Sequence, residues 1–528
     1  MRDFHIPGRS TVRSLNGMAA TSHPAATLTA IDTLRAGGNA VDAAIAAAAV
    51  LGVVEPHSTG IGGDCFALYA PKGSADIVAV NGSGRAPAAA TPEWYLDNGF
   101  TGIPLYSPHA VTIPGAVDAW AQLLSDHGTK GFAELLQPAI DYAEQGYVVH
   151  GRIAQAWSAN AQKLAKDPTS ARVFLPGGKA PVEGDVHRQE MLAETMRVIV
   201  KEGRDGFYTG AVAEDIVTYL NSLGALHTLE DFETHTTEYV SPIKGSYRGL
   251  DIYQVPPNNP GITALLMLHI LEGFDLAGLD PMGVERFHLE AEAARLAYNV
   301  RETDVGDPAF VDVPVDKLLS QDFAAELRER IDPNKAMELK SIRPPTAPNT
   351  VYLTVVDADR NAISFINSIS YAFGTGLLSP KSGVMLQNRG SGFRVELGHP
   401  NCIAPRKRPL HTIMPGMLAE KNRVIMPYGV MGGQYQPTGH THVLTNILDY
   451  GMDVQAAIDF PRAFHFGDKY LLERGIGDEV ERGLQALGHP TERVEMPHGG
   501  GQAIWIDWER GTLAGGSEPR KDGCALGY

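Results

Sequence analysis

A run holding three prolines, Ile342-Arg343-Pro344-Pro345-Thr346-Ala347-Pro348-Asn349, stops at Thr350, and from that threonine a two-residue alternation begins. Proline cannot donate to a sheet ladder and pushes its predecessor toward extended geometry, so the run predicts an exposed loop. Beyond it, Val351, Leu353 and Val355 fall on one strand face and Thr350, Tyr352, Thr354 and Val356 on the other. Asp357 to Asn361 reads as a turn and Ala362 to Ile369 as the returning strand, a β-hairpin whose first residue carries a hydroxyl. A hydroxyl is a weak nucleophile until a base lies beside it. If the chain is cut between Asn349 and Thr350, the threonine's own α-amine can be that base. A threonine can also simply begin a strand, so the rest of the chain has to decide.

The length of 528 residues allows one large interwoven unit or two to three domains. A content of 44% hydrophobic and 20% charged residues is that of a soluble globular protein. The net charge of -17 argues against nucleic acid or an anionic membrane as a partner, but not against a small anion in a local positive pocket. Ala40 to Val54 is apolar but too short for a span and carries Asp42, which predicts a buried helix. The first residues contain no secretory apolar segment. Cys65, Cys402 and Cys524 are far apart, odd in number and without metal spacing. These features lead us to expect a cytoplasmic protein with no metal and no cofactor.

In chain order, Pro24 to Ala36 and Asn39 to Val54 read as alanine-rich helices divided by Gly37-Gly38. Gly60-Ile61-Gly62-Gly63-Asp64 precedes the strand Cys65 to Ala70 rather than opening a helix, which makes it a poor dinucleotide loop. Ile77 to Asn81 is another strand. Residues 111 to 225 look mainly helical, Gly115 to Ser125, Gly131 to Gln145 and Gln189 to Glu202 most clearly. Ile262 to Leu271 reads as an amphipathic helix, Gly283 to Arg301 as a second, and Lys317 to Ile331 as a charged one. Val384 to Gln387 and Val424 to Tyr428 are predicted strands, and Thr441 to Tyr450 has helical spacing.

Several residues carry candidate chemistry. Arg85, in a glycine-flanked loop at a strand end, is either a carboxylate clamp or a surface arginine, since a guanidinium fork binds both carboxylate oxygens. Arg389 sits among small residues in Asn388-Arg389-Gly390-Ser391-Gly392. Arg406 to Thr412, which includes His411, is the most basic run in an acidic chain. Gly432-Gly433, between a strand and a helix, can expose backbone N–H groups to an oxyanion. His288 and Glu292, one helical turn apart, could share a metal, but with no further ligand nearby a structural histidine is the simpler reading.

Taken together and in order, Gly60-Ile61-Gly62-Gly63, Arg85-Ala86-Pro87, His288-Leu289-Glu290-Ala291-Glu292, Thr350 with Val355-Val356-Asp357, Phe373-Gly374-Thr375-Gly376, Arg408-Pro409-Leu410 and Gly432-Gly433 resemble the γ-glutamyltransferase family over nearly the whole chain. The resemblance implies an α/β N-terminal-nucleophile hydrolase fold, an αββα four-layer sandwich made as one precursor. That precursor would cut itself at Asn349-Thr350 into a large chain, 1–349, and a small chain, 350–528, which stay together as a heterodimer. It implies Thr350 as nucleophile, Ser368 as a hydroxyl touching it, Gly432 and Gly433 as the oxyanion hole, and Arg85 as the α-carboxylate clamp. Ser370 and His411-Thr412 occupy positions of the family's substrate pocket. The chain departs from the family where an acid would hold the substrate ammonium. Gly392 stands there, and Arg389 stands where a glutamine is usual. A pocket with Arg85, Arg389 and His411 suits a small acid amide that has a carboxylate and no amine. The pattern looks most like the oxamate amidohydrolase branch, which converts oxamate to oxalate and ammonia. A γ-glutamyltransferase, glutathione hydrolase or related acylase is the alternative.

Overall fold

The computed structural model describes residues 8–338 and 350–528, so the proline-rich approach and the predicted cut-site residue Asn349 lie outside the described residues. Two antiparallel seven-stranded sheets lie face to face between two helical layers, the αββα arrangement expected. One sheet runs Val12–Ser14, Thr512–Ser517, Gly500–Asp507, Arg423–Met431, Gly416–Glu420, Leu250–Gln254, Ile243–Tyr247. The other runs Cys524–Gly527, Met18–Thr21, Val351–Val356, Ala362–Ser368, Asp64–Ala70, Val78–Gly82, Glu238–Val240. Each sheet takes strands from both sides of Thr350, so neither half of the chain could complete a sheet alone.

The hairpin after Thr350 forms as its alternation predicts, Val351 opposite Asn367 through Val356 opposite Ala362. Both of its faces are buried because the strand is internal to a sandwich. Val351, Leu353 and Val355 meet the helical layer. Tyr352 and Val356 meet the other sheet, in a core shared with Met417, Val424 and Ile504. Across that core Gly429 faces Tyr352 so closely that a Cβ there would sit 2.3 Å from the ring, which is why the position carries no side chain.

The helix Ala40–Val54 is buried along its whole length, beneath the hairpin that follows Thr350. Its small side chains let the helix axis come close to the sheet. Asn39 and Asp42 form a capping box at its start, a device that contributes about 1 kcal/mol. The hairpin turn reinforces the same end, because Asp357 Oδ2 accepts the Ala40 N–H at 3.0 Å while Asn361 closes the turn on Asp357. The predicted helices Pro24–Arg35, Ala116–His127, Phe132–Gln145 and Glu190–Glu202 form within a few residues of their expected bounds.

Three expectations change. Gly261–Leu271 is helical but buried on every side rather than amphipathic, because it lies between a sheet and the helices Val284–Asp304 and Gln436–Leu448. Lys317 to Ile331 breaks into two short helices, Val315–Leu318 and Gln321–Arg328. Val384 to Gln387 is not a strand; it makes only an isolated bridge, Leu378 to Met385, and otherwise serves as buried loop. Among the described residues no helix is long and apolar enough to cross a membrane.

Candidate active site

The register of the hairpin decides what Thr350 faces. Val351 pairs with Asn367, so Thr350, one residue earlier, comes opposite Ser368, one residue later, and their hydroxyl oxygens are 3.1 Å apart. Thr350 is only 2% exposed. Ser368 Oγ also accepts the Ser370 N–H at 2.9 Å, which draws the chain into a sharp turn with Ser370 at φ 78. A non-glycine residue in that region carries strain that the surroundings must hold. The Gly60 to Gly63 run explains itself here. A Cβ on Gly63 would lie 2.2 Å from the Ser368 carbonyl oxygen, so glycine lets the loop press against the end of the Ser368 strand.

Gly432 and Gly433 end the strand Arg423–Met431 with φ 120 and φ 57, just ahead of the helix Gln436–Leu448. A side chain at Gly432 would strike Gly499 Cα at 2.6 Å. Gly432 and Thr350 line one cavity of about 570 Å³, so the glycine turn and the threonine face the same space.

A second cavity, about 400 Å³, opens beside it and shares Gln434 with the first. Arg389, Ser370 and Thr412 line it, as do Tyr371, Arg301, Arg394 and Glu302. Arg389 is 3% exposed, and Nη1 donates to Thr412 Oγ1 at 2.7 Å, while Nε and Nη2 are buried without a partner. Burial pulls its pKa down to about 10, with Asp64 opposing, so it remains a cation at neutral pH. Among the described residues Glu302 is the single carboxylate on this wall, and it is held by Arg301 at 2.6 Å and Arg394 at 2.9 Å. Three arginines against one already paired acid make the cavity electropositive inside an acidic protein.

Two predicted site residues are placed differently from expectation. Arg85 is absent from the lining of both cavities. Its Nη2 donates to Glu238 at 2.6 Å and its Nη1 to the Arg406 carbonyl at 3.0 Å, while Arg408 takes the other Glu238 oxygen. Glu238 therefore occupies the fork that was expected to hold a substrate carboxylate. His411 does not line the arginine cavity either; its Nδ1 accepts from the Ile413 N–H, which leaves the proton on Nε2 to be donated to Asp64 at 3.1 Å. Burial and the charge of Arg389 push its pKa down to about 4 against the pull of Asp64, so it is a neutral imidazole. Burial alone would raise the Asp64 carboxyl, but His411, Arg389 and Gln387 together hold it below the ordinary range. Asp64 is the residue that sequence reasoning passed over, a carboxylate opening an otherwise apolar strand. It also accepts from the Gly84 N–H and from Gln387 Nε2, each at 2.9 Å, and provides the buried countercharge behind Arg389.

The lone pair of potential ligands on the helix Val284–Asp304 gains a third neighbour. His489 Nε2 lies 2.8 Å from His288 Nδ1, and the donor atoms of His288, Glu292 and His489 all lie within 4.8 Å of one another. They are hydrogen-bonded here, His288 Nε2 to the Asp332 carbonyl at 2.8 Å and Glu292 Oε2 to the Met337 N–H at 2.9 Å. The cluster thus fastens the last described residues of the segment that leads toward Thr350.

Neutral buried histidines make a prediction about acid. His411, His227 and His187 have pKa values drawn down to about 4 by burial, and His440 to about 3. Each favours the folded state fully above its unfolded value of about 6.5, and that contribution is lost as pH falls from there toward 4. Together they amount to something on the order of several kcal/mol, so the melting temperature should drop by several degrees between pH 6.5 and pH 4.5. A flat profile across that window in a thermal-melt series would show that these imidazoles are not held neutral.

Comparison with known proteins agrees with this geometry. The family model described as Gamma-glutamyltranspeptidase matches residues 26–528. The chain is 38% identical over 501 residues to the glutathione hydrolase-like YwrD proenzyme of Bacillus subtilis, covering 93% of this chain and 94% of the relative. It is 33% identical over 532 residues to the oxamate amidohydrolase proenzyme of Klebsiella pneumoniae, covering 98% and 99%. Among solved structures, cephalosporin acylase from Bacillus halodurans superposes with a TM-score of 0.93 at 39% identity, over 100% of this chain and 99% of that one. The threonine at the head of an internal strand, the two-sheet sandwich and the full-length match lead to one conclusion: the chain belongs to the γ-glutamyltranspeptidase family of self-processing amide hydrolases.

Proposed function

We propose that the chain is cut between Asn349 and Thr350 and that the small chain then hydrolyses amides of small acids whose acyl half carries a carboxylate, oxamate being the leading candidate. The freed α-amine of Thr350 takes the proton from Oγ1, the oxygen attacks the amide carbon, and the N–H groups of Gly432 and Gly433 stabilise the oxyanion. The amine departs with the proton. Water then opens the ester on Thr350 and restores the hydroxyl. Ser368 orients the Thr350 hydroxyl, and Ser370 and Thr412 contact the acyl group.

One observation carries this reading: Arg389 lines an electropositive cavity whose wall holds no unpaired carboxylate among the described residues, and its Nε and Nη2 are buried without a partner. An unpaired buried donor fork is costly unless an anion completes it, and a carboxylate is the geometric match. A γ-glutamyl group brings an ammonium as well, which the arginines repel. The Klebsiella relative's name as an oxamate amidohydrolase supports the same substrate class. A second reading has its own support. The cavity of about 400 Å³ is larger than a two-carbon acid needs, so longer diacid amides also fit, and a solved relative is named as an acylase. The three cysteines, all free thiols, support a reducing, cytoplasmic setting.

The test is release of ammonia or amine from oxamate, succinamate, glutaramate, glutamine and glutathione by processed protein. Turnover of the amine-free acids at least about tenfold above glutamine and glutathione is expected, the value of one charge-assisted contact. Preference for glutathione would overturn the acyl assignment in favour of a glutathione hydrolase.

A further inference from the structure

The cluster of His288, Glu292 and His489 takes no part in the chemistry at Thr350, and it joins residues from the two sides of the expected cut. His288 and Glu292 lie one turn apart on the helix Val284–Asp304, ahead of Thr350. His489 lies after it, between the helix Asp478–Ala486 and the strand Thr491–Arg493. All three are buried, at 0%, 0% and 2% exposure. The surroundings bridge the same divide: Phe287 and Ala291 share an apolar core with Tyr470, Leu472 and Leu484, and the Tyr470 hydroxyl donates to the Phe287 carbonyl at 2.9 Å.

Hydrogen bonds fix where the lone pairs point. The Asp332 carbonyl can only accept, so His288 Nε2, 2.8 Å away, carries the proton, and in the neutral ring Nδ1 turns its lone pair toward His489. His489 Nε2 donates to that lone pair at 2.8 Å, and its own Nδ1 is buried without a partner. A histidine whose outer nitrogen donates to a backbone carbonyl has its inner nitrogen oriented as metal-binding histidines do. Glu292 holds Arg295 on Oε1 at 2.8 Å and the Met337 N–H on Oε2 at 2.9 Å. A carboxylate has about four lone-pair sites, so both bonds can persist while one oxygen takes a further partner.

We propose that His288 Nδ1, His489 Nε2 and a Glu292 carboxylate oxygen bind one Zn²⁺ ion, and that this ion ties the large and small chains together once the precursor is cut. Two imidazoles and a carboxylate suit zinc, whereas Mg²⁺ and Ca²⁺ take oxygen ligands. Zinc bonds of about 2.0–2.2 Å at tetrahedral angles set neighbouring donor atoms about 3.3 Å apart. The two ring nitrogens, 2.8 Å apart, therefore separate by about half an ångström. The donor atoms already lie within 4.8 Å of one another, so a side-chain adjustment of Glu292 closes the third bond, with water as the fourth ligand. The proton on His489 Nε2 passes to Nδ1, and both rings bind as neutral ligands. Binding at the site does not depend on the cut; only the tying of two chains does.

Calorimetry on the purified full chain, freed of metal with a chelator and titrated with Zn²⁺ alone, tests the site. One ion should bind with a Kd of about 1 μM or tighter. Glu292→Gln, which keeps an acceptor for the Met337 N–H, and His489→Gln, each checked for folding by circular dichroism, should weaken binding at least about a hundredfold. Zn²⁺ at about a hundred times its Kd should raise the melting temperature of the unaltered protein by about 2 °C, and that of the variants by less than about 0.5 °C. In cut protein the same zinc should raise the urea concentration at which the two chains part on gel filtration. No binding below about 100 μM in the unaltered protein, or equal affinity in both variants, would overturn the site. A bound ion that leaves the parting of the chains unmoved would overturn its role as a tie. Protein that is never cut refutes the hydrolase reading, and calorimetry on it still decides the metal site.

Discussion

Thr350→Ala is expected to leave the 56.7 kDa chain whole and inactive. One hydroxyl serves two reactions in the proposed scheme, the attack on the Asn349 carbonyl that frees the small chain and the later attack on substrate. Removing it leaves no second route, because Ser368 is fixed on the partner strand and gains no α-amine from the cut. On a denaturing gel, unaltered protein should show two bands near about 37 and about 19 kDa, and the variant a single full-length band, as an N-terminal nucleophile requires. The fold should survive. Thr350 precedes the ladder that begins at Val351, and the change removes one hydroxyl contact and one methyl group. A cleaved Thr350→Ala product would assign the nucleophile elsewhere. Thr350→Ser should process and turn over, more slowly, since the hydroxyl and the amine both remain.

Arg389→Gln should separate stability from function. In the protein without substrate the guanidinium is desolvated with two donors unpaired, a state that costs stability, so its replacement should leave the melting temperature level or slightly raised. With an anionic amide those two donors would form a bidentate, charge-assisted contact. Its loss removes about 3 kcal/mol, roughly a hundredfold in kcat/KM, with most of the effect in KM. Processing at Thr350 should continue, because the precursor's own peptide brings no carboxylate to that fork. Unchanged kinetics on oxamate and on longer diacid amides would remove Arg389 from the binding site. Arg389→Lys tests the geometry, since a single ammonium cannot reproduce the planar fork and should recover only part of the loss.

Much of the architecture was legible before any coordinates. The hairpin at Thr350, the alanine-rich helix under it and the glycine turn at 432 and 433 are local features, written in alternation, composition and backbone need, and all three form where expected. The opposition of Thr350 and Ser368 follows from hairpin register, which a turn of fixed length sets. Where local reading failed, the cause was a neighbour distant in sequence. Gly261–Leu271 lost its exposed face to another helix layer, and Val384 to Gln387 lost its ladder because the loops around it left no strand to pair with.

The charges show most plainly what sequence order leaves undecided. Arginine and histidine types at 85, 389 and 411 are equal candidates on paper. Glu238 occupies Arg85, His411 is a neutral imidazole that donates to Asp64, and of the three Arg389 is left with buried donors unpaired. The sequence by itself determined the nucleophile candidate, the layered fold and the family, because each rests on residues adjacent in the chain or on a match along its whole length. Only the tertiary structure decided which cation is free to bind, because that depends on which carboxylate, tens or hundreds of residues away, comes to lie within hydrogen-bond reach of it.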